Sequence, residues 1–422
     1  MRSALVGLAA AVASVAGLTI GIGAAGAQGP SAQGVTPTTI KVGVTYPDLS
    51  ALRGEINVDP GNYPVAYQAL FDQINARGGI DGRKVVPVFA GVNPLGTAGA
   101  ATACTQLTED DKVFAVLGFF QLPDTACYVQ THGVPIIGQS LTAQQAAQAK
   151  APWFNDLISP SDLVPKEMTT FAQEGVFKGK KVGVVATSVD QDELALVSSA
   201  LRAHHVNVVQ SAVNSVPDTD NAAQVQEYGV IAQKFQSSGV DLVVAVGNSG
   251  NGWPAALQGN QSTYTPQLVA TDYNDLHAYT ANKAGYSQAV LRGALTAGGD
   301  PPASVWWNTP AMKSCLATVH QAEPTATIND PVTATASTPV TWTAPETACY
   351  QVALFADIAK AAGKTLNVGT FAKGGASLTH VVLPGGGGTY DFAGGHNDGN
   401  GPVFVYTWSP AARALVLQST VG

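Results

Sequence analysis

The sequence predicts an α/β protein with two similar lobes, each built on a parallel sheet. Apolar runs of strand length alternate with helical segments along most of the 422 residues, which is typical of a parallel sheet covered by helices on both faces. The tetrapeptide Lys-Val-Gly-Val occurs at 41–44 and again at 181–184, each time at the start of such a series. Similar elements follow the two copies in the same order and at similar spacing, which favours two Rossmann-like lobes.

A helix, a tight turn and a strand form the clearest unit of the first series. The apolar positions Tyr67, Leu70, Phe71 and Ile74 recur at the spacing of one helical face. Pro64 suits the first turn of this helix, and Gly78 with Gly79 supplies the left-handed backbone that ends it. The mostly apolar residues 85–89 then form a strand. This order is typical of a crossover between strands of a parallel sheet.

The remaining elements continue the alternation. In the first series, we expect strands at 40–44, 113–118 and 134–138 and helices at 98–107 and 125–131. In the second series, we expect strands at 181–184, 206–209, 242–247 and 267–270 and helices at 192–204 and 222–237. Farther along, the pattern predicts a surface excursion at 324–345, a helix at 350–362 and a terminal β-hairpin region at 381–408.

Composition narrows the range of partners. Hydrophobic residues make up 45% of the chain and charged residues 12%, so the chain can bury a substantial core. The formal net charge is −8 and no basic patch stands out. This balance argues against nucleic acid as a partner.

The N-terminal residues predict export. Arg2 is the only charged residue among residues 1–27, and the stretch from Ala4 to Ile22 is small and apolar. Residues 25–27 form an Ala-Gly-Ala cleavage pattern. We expect residues 1–27 to be a signal peptide, with an uncleaved membrane anchor as the alternative. The first cysteine is Cys104, so a lipid-modified N-terminal cysteine is excluded. No other stretch has the length and apolar character of a membrane span.

Four cysteines, Cys104, Cys127, Cys315 and Cys349, occur in a chain that we expect to be exported. An even number in an oxidising compartment favours two disulfides, and three pairings are possible. We favour the local pairing, Cys104 with Cys127 and Cys315 with Cys349. The spacing gives no CxxC motif, and no cysteine and histidine cluster suggests a zinc site.

Several motifs in this order resemble one family. They are the strand 41–44, the Asn-Ala-Arg-Gly-Gly-Ile-Asp-Gly-Arg turn at 75–83, and the segments 112–118, 133–136, 179–182 and 388–392. Over about residues 38–410 the chain resembles the leucine/isoleucine/valine-binding-protein-like receptors of ABC transporters, which have the type I periplasmic binding fold. The turn at 75–83 is the most specific of these motifs.

The resemblance implies two lobes joined by three crossings. By matching order, the first lobe comprises about residues 36–157 and 298–380, and the second comprises about 158–297 and 381–422. A small molecule is held between the lobes and delivered to a permease, and the protein acts as a monomer in the periplasm or as a secreted protein. This implies no enzyme activity and no cofactor. The alternatives are a ligand-sensing regulator on the same fold and, in a different class, an exported enzyme.

Loops that follow the strands supply the candidate ligand contacts, since ligands of parallel sheets collect at the carboxyl ends of strands. The candidates are Tyr46, Phe120, Gln121, Ser140, Asp190, Asn248, Asp272 and Tyr273. The carboxylates of Asp190 and Asp272 suit an ammonium or hydroxyl groups, and the aromatic rings suit stacking. The alternative for each polar candidate is a capping or turn role, which Asp, Asn and Ser commonly take.

The loop after the third strand departs from the family pattern. Amino-acid binders of this family usually have a small hydroxyl residue there, whereas this chain has Phe119 and Phe120. In those proteins the hydroxyl residue binds the carboxylate of the ligand. Ser140 or Thr142 could bind it here, together with free N–H groups of a nearby helix. The departure favours a non-standard ligand with an aromatic or apolar part.

Catalytic and metal-binding motifs are weak. Residues 247–251 nearly match a nucleophile elbow, but Asn251 stands in place of its final glycine. His396 and Asp398 lie in a Gly/Asn-rich turn near Asp391, which predicts a hairpin tip, with a calcium site as the alternative. We expect no catalytic residue and no metal ligand.

Overall fold

The computed structural model describes residues 32–50, 58–94, 98–120, 124–217, 220–259, 263–281, 285–335 and 337–421. The predicted signal peptide and the candidate Gln121 lie outside the described residues.

Fourteen strands are described. They are β1 (Thr39–Pro47), β2 (Lys84–Val92), β3 (Ala115–Gly118), β4 (Ile136–Ile137), β5 (Trp153–Phe154), β6 (Val182–Thr187), β7 (Val208–Asn214), β8 (Leu242–Ala245), β9 (Gln267–Ala270), β10 (Leu295–Gly298), β11 (Val381–Val382), β12 (Thr389–Tyr390), β13 (Val403–Ser409) and β14 (Ala414–Val421). They form a five-stranded sheet, a seven-stranded sheet and a small two-stranded sheet.

Twelve α-helices are described. They are α1 (Tyr63–Ala76), α2 (Ala98–Thr105), α3 (Ala143–Gln148), α4 (Pro160–Gln173), α5 (Gln191–Ala203), α6 (Asn221–Ser237), α7 (Ser249–Gly259), α8 (Tyr273–Thr280), α9 (Ala303–Trp306), α10 (Pro310–Ala322), α11 (Thr343–Ala362) and α12 (Val368–Gly375). None of the described helices is long and apolar enough to cross a membrane.

The two larger sheets repeat one topology. The first sheet has the order β2-β1-β3-β4-β5, and all of its pairs are parallel. The second sheet contains β7-β6-β8-β9-β10 in the equivalent order, also parallel. The antiparallel strands β13 and β14 extend it beyond β10. The predicted α/β class with two similar sheets is therefore confirmed.

The crossover unit near the start of the chain forms as predicted. Asn62 caps α1, its side chain accepting a hydrogen bond from the N–H of Val65, and Pro64 lies in the first turn. After Arg77, the positive φ values of Gly78 (99°) and Gly79 (75°) turn the chain out of the helix. β2 then pairs in parallel with β1.

Some element boundaries differ from the prediction. α11 begins at Thr343 rather than 350, because Pro345 lies in its first turn, where no intrahelical N–H is required. α2 ends at Thr105 and continues as a π-helical segment over Gln106–Asp110. In the terminal region, β13 forms its hairpin with β14, whereas β11 and β12 pair only with each other.

The chain passes between the two larger sheets three times. The first passage follows β5, the second follows β10, and the third leads from β12 to β13. Buried side chains of α10, α11 and α12 share a core with the first sheet. Leu383, Tyr390 and Phe392 also belong to that core, so the exact division of the chain into lobes stays a prediction.

Both disulfides follow the favoured local pairing. Cys104 is bonded to Cys127, which joins α2 to a π-helical segment at Cys127–His132. Cys315 is bonded to Cys349, which joins α10 to α11.

Candidate functional site

The carboxyl ends of β1 and β3 form a topological switch point of the first sheet. These neighbouring strands lead into crossovers on opposite sides, which opens a crevice where ligands of such sheets bind. Thr45 Oγ1 donates a hydrogen bond to the Phe119 carbonyl at 2.7 Å and so ties the two strand ends together. A Cβ at Gly118, whose φ is +126°, would lie only 1.9 Å from the Thr45 carbonyl oxygen, so the close approach requires glycine.

The equivalent switch point of the second sheet lies between β6 and β8. The Asp190 carboxylate accepts hydrogen bonds from Thr187 Oγ1 at 2.6 Å and from the N–H of Asn248 at 3.2 Å. The structure thus brings together two predicted ligand contacts, Asp190 and Asn248. The Asn248 side chain is exposed.

The end of β9 carries two further predicted contacts. The Asp272 carboxylate caps α8, accepting hydrogen bonds from the N–H groups of Asn274 at 2.6 Å and Asp275 at 3.2 Å. Helix capping was the alternative role that the sequence analysis gave for Asp272. The ring of Tyr273 stacks on His277 with centroids 5.5 Å apart and contacts Tyr406 at 4.4 Å.

Tyr46 lies beside a cavity at the carboxyl end of β1. Its ring stacks on Tyr63, with centroids 6.3 Å apart, at the start of α1. Both rings line a cavity of about 1060 Å³ that also reaches His320 and Glu323 at the end of α10. Burial and, to a lesser extent, the Asp48 charge raise the pKa of Tyr46.

The other predicted contacts of the first sheet differ in accessibility. Phe120 is only 6% exposed and packs edge to face against Tyr128, with centroids 5.5 Å apart, whereas Phe119 is 36% exposed. Phe119 is therefore the accessible aromatic residue of this loop. Ser140 is half-buried, and its Oγ accepts a hydrogen bond from Asn155 Nδ2 at 3.2 Å.

A group of three acids near the passages, of which Asp156 is buried, was not predicted from the sequence. Asp156 follows β5 and is 6% exposed, Asp300 follows β10, and Glu346 lies in the first turn of α11. Burial, followed by the Asp300 charge, raises the pKa of Asp156 to about 7. Burial, followed by the charges of Asp156 and Asp300, raises the pKa of Glu346 to about 8.

Asp300 combines solvent contact with a raised pKa. Its side chain is exposed, yet surrounding protein atoms and then the Asp272 charge raise its pKa, while a hydrogen bond from Asn274 lowers it.

Two more carboxyls lie behind the second sheet's switch point. Glu193 accepts a hydrogen bond from Thr271 Oγ1, and burial raises its pKa. Glu167 is fully buried, and burial together with the charges of Glu193 and Asp272 raises its pKa well above the usual range.

A hydrogen-bond network fixes the first sheet's side of the site. Tyr67 Oη donates to Gln351 Oε1 at 2.5 Å, and Gln351 Nε2 donates to the Gly118 carbonyl at 3.2 Å and to Tyr350 Oη at 3.0 Å. Gln351 thereby couples α1 and α11 to the end of β3. Tyr67, Gly118 and Gln351 are far apart in the sequence, so no local sequence pattern predicts this network.

The turn that contains His396 and Asp398 caps a helix. Asp398 is 1% exposed, and its carboxylate accepts hydrogen bonds from the N–H groups of Ser159 at 2.6 Å and Asn400 at 3.3 Å. Ser159 is the N-cap residue of α4. His396 Nδ1 lies 3.2 Å from Asp162 Oδ2. The side-chain atoms of Asp162, His396 and Asp398 that could bind a metal ion lie within 4.8 Å of one another. The Asp398 carboxylate, however, already accepts two hydrogen bonds from backbone N–H groups.

Comparisons with known proteins agree with this architecture. A family model described as periplasmic binding protein matches residues 39–413. No curated protein matches the chain significantly.

Solved structures share the fold at low sequence identity. An ABC transporter substrate-binding protein from Desulfitobacterium hafniense in complex with Leu is 14% identical with a TM-score of 0.59, covering 90% of this chain and 100% of that one. A solute-binding protein from Rhodopseudomonas palustris in complex with p-hydroxybenzoic acid is 18% identical with a TM-score of 0.59, covering 90% and 96%. A fatty acid ABC transporter substrate-binding protein from Thermomonospora curvata is 15% identical with a TM-score of 0.55, covering 93% and 94%.

Proposed function

We propose, from the premise that this chain belongs to the periplasmic binding protein family, that it is an exported solute-binding protein. It captures a small molecule between its two lobes and delivers it to an ABC-type permease. It acts as a monomer and performs no covalent chemistry. Residues 1–27 direct export and are removed after Ala27.

The observation that carries this proposal is the repeated topology. Two sheets of the same strand order each have a switch point, at β1/β3 and at β6/β8, with polar or aromatic residues at both. Three passages join the sheets, an arrangement in which hinge closure around a ligand can occur. A ligand that contacts both lobes only in the closed form shifts the population towards that form.

The ligand differs from an ordinary branched-chain amino acid. Phe119 and Phe120 occupy the loop where the family's amino-acid binders usually have a small hydroxyl residue. The structures with the same fold include complexes with Leu and with p-hydroxybenzoic acid and a fatty acid transporter component, so the fold accepts chemically diverse ligands.

A thermal-shift screen tests the proposal. The mature chain, beginning at Gln28, is mixed with amino acids, amines, aromatic acids and short fatty acids. A ligand present at 100 times its Kd should stabilise the protein by about 2.7 kcal/mol. Mass spectrometry of the unchanged compound then excludes turnover.

Two results would contradict the proposal. The first is that no compound in a broad library stabilises the protein, and the second is that a stabilising compound is chemically converted. Mass analysis of the exported protein tests the cleavage, because a mature N-terminus other than Gln28 would refute that site.

A regulator on the same fold is the second candidate. It would bind its ligand between the lobes in the same way and signal to a partner protein. Transport assays with the permease reconstituted in vesicles separate the two, since a regulator would bind ligand without supporting uptake.

A further inference from the structure

The disulfide between Cys104 and Cys127 has a histidine and a carboxylate beside it. The two sulfur atoms and a ring nitrogen of His132 all lie within 4.8 Å of one another. Glu109 Oε1 lies 3.6 Å from His132 Nε2. None of these four residues belongs to the candidate ligand site, so the group requires an explanation of its own.

Two π-helical segments bring these residues together. Cys127 and His132 are the first and last residues of the segment Cys127–His132, and Glu109 lies in the segment Gln106–Asp110. Hydrogen bonds of a π-helix join residue i to residue i+5, so residue i+5 returns to nearly the same face as residue i. The His132 ring therefore lies on the same side of its segment as the Cys127 sulfur. Segments of this kind occur frequently at functional sites.

The second disulfide shows what the same sequence spacing produces in a regular helix. His320 follows Cys315 at the spacing at which His132 follows Cys127, but Cys315 and His320 both lie in the α-helix α10. At about 3.6 residues per turn, these two side chains point about 140° apart. Among the described residues, neither Cys315 nor Cys349 belongs to a group of three potential metal ligands. The type of helix, and not the spacing alone, places a histidine beside the first disulfide.

The group is open to solvent on one side. Cys104 is fully buried and Cys127 is half-buried. The side chains of His132 and Glu109 are 24% and 58% exposed. A metal ion or a reductant can therefore approach Cys127 and His132 from solvent, while Cys104 supplies its sulfur from the interior.

Two thiolates and an imidazole are ligands that suit Zn²⁺. Zinc–sulfur bonds of about 2.3 Å and zinc–nitrogen bonds of about 2.1 Å place tetrahedral ligand atoms about 3.5–3.8 Å apart. Small side-chain adjustments bring the atoms of Cys104, Cys127 and His132 to this spacing, since they already lie within 4.8 Å of one another. A carboxylate beside a zinc-bound histidine commonly fixes the orientation of the ring, and Glu109 is placed to do so.

We propose that the reduced form of Cys104 and Cys127, together with His132, is a zinc site in which Glu109 orients the imidazole. The site exists while both cysteines are thiols, and the disulfide excludes the metal. Zinc then holds α2 to the segment Cys127–His132 when the covalent bond is absent. This inference is independent of the solute-binding function proposed above.

The disulfide is converted to the metal site in two steps. A dithiol reductant supplies two electrons and two protons, so its own thiols become a disulfide while the bond between Cys104 and Cys127 opens to two thiols. Zn²⁺ then displaces the two thiol protons, which pass to water, and binds the two thiolates. His132 binds as the neutral imidazole, through the lone pair of one ring nitrogen.

Zinc titration of two double variants tests this inference. The variant Cys315→Ser with Cys349→Ser retains only the first cysteine pair, and the variant Cys104→Ser with Cys127→Ser retains only the second pair. Each mature chain is reduced with dithiothreitol, desalted without oxygen and titrated with Zn²⁺ against a chromophoric chelator. We expect one tightly bound zinc ion in the first variant, and none in the second variant or in the oxidised protein. Co²⁺ should give the absorption bands of cobalt–thiolate coordination only in the first variant.

Substitutions at the two histidines separate metal binding from the cysteine spacing. Added to the first variant in its reduced form, His132→Ala should weaken zinc binding more than 100-fold, because it removes a metal ligand. Glu109→Gln should weaken it about 10-fold, as expected for a residue that only orients a ligand. His320→Ala is the matched control and should leave the zinc affinity unchanged, because His320 lies in an α-helix.

Three results would overturn the inference. They are equal zinc binding by both double variants, zinc binding by neither, and an unchanged zinc affinity after His132→Ala. If the reduced first variant does not stay folded, far-UV circular dichroism replaces the titration. Zinc should then restore the folded signal of that variant, but not after His132→Ala, and a failure to restore it would also overturn the inference. None of these results bears on the solute-binding function.

Discussion

At the scale of single residues, the Asp156 carboxyl links stability to pH. Its pKa is about 7 in the folded protein and near 4 in an unfolded chain. Between these values the folded protein retains a proton that the unfolded chain has lost. The stabilisation is complete below about pH 4 and is lost as the pH rises through about 7. The Asp300 charge acts on this carboxyl, and the Asp156 charge in turn acts on Glu346, Tyr350 and Tyr390.

We therefore predict that the free energy of unfolding, measured by urea titration, falls as the pH rises from about 5 to about 8. One group contributes at most about 1.4 kcal/mol per pH unit to this slope. Asp156→Asn should reduce the slope, because the amide does not ionise.

The urea m-value provides the control. An unchanged m-value indicates that the variant unfolds from the same compact state. Equal slopes in the variant and the unchanged protein would contradict the pKa assigned to Asp156.

At the scale of single elements, α8 distinguishes capping from ligand binding. Asp272 accepts two backbone hydrogen bonds at the start of this helix. Asp272→Ala should lower the free energy of unfolding by about 1 kcal/mol, whereas Asp272→Asn should retain most of the cap. Urea denaturation of both variants measures the difference.

The ligand affinity of Asp272→Asn then shows whether Asp272 also contacts the ligand. If Asp272 only caps the helix, this variant binds ligand as the unchanged protein does. A large loss of affinity with stability preserved would instead make Asp272 a ligand contact, as the sequence predicts.

The disulfide between Cys104 and Cys127 stabilises a region of irregular helices. It closes a loop with a sequence separation of 23 residues. Replacing both cysteines by alanine should lower the free energy of unfolding by about 3 kcal/mol, chiefly because the unfolded chain gains freedom. Chemical denaturation measures this loss.

Peptide mapping provides the independent check on the bond. Without reducing agent, mass spectrometry should find the Cys104 and Cys127 peptides linked, and free thiols at both positions would refute the bond. Cys315→Ala with Cys349→Ala is the matched pair, with a sequence separation of 34 and a similar expected loss.

Sequence patterns predicted the elements that carry strong local signals. The apolar face of α1 and the continuous apolar runs of β6 and β8 were found at nearly their true positions. β5 has only two residues and β14 alternates between partly buried and exposed positions, so neither produces a clear pattern. These elements form because neighbouring strands pair with them.

Only those candidate residues that directly follow a strand could be predicted from the sequence. Asp190 and Asn248 meet as expected because parallel strands end at one edge. The sequence did not predict the group formed by Asp156, Asp300 and Glu346. Its formation depends on the paths that the chain takes between the two larger sheets. No local pattern encodes that arrangement.

At the scale of the whole molecule, we predict a change of shape on ligand binding. A ligand bound between the lobes should favour the closed arrangement, because only there does it contact both sides. Small-angle X-ray scattering should then give a smaller radius of gyration at saturating ligand.

The control for this experiment is a non-binding compound of the same charge, which should leave the scattering unchanged. A radius of gyration that does not change on saturation would contradict hinge closure. It would leave open a rigid binding site on a single lobe.

The pairing of β13 with β10 also has a consequence for biogenesis. Leu295 is opposite Thr407, more than 100 residues later in the chain. The second sheet therefore lacks β13 and β14 until the C-terminal residues have been synthesised. The core beside the first sheet likewise lacks α11 and α12 until synthesis has reached residue 375. Contacts of such long range slow folding. Neither half of the fold can therefore be completed early, which would keep the chain unfolded during the export proposed above.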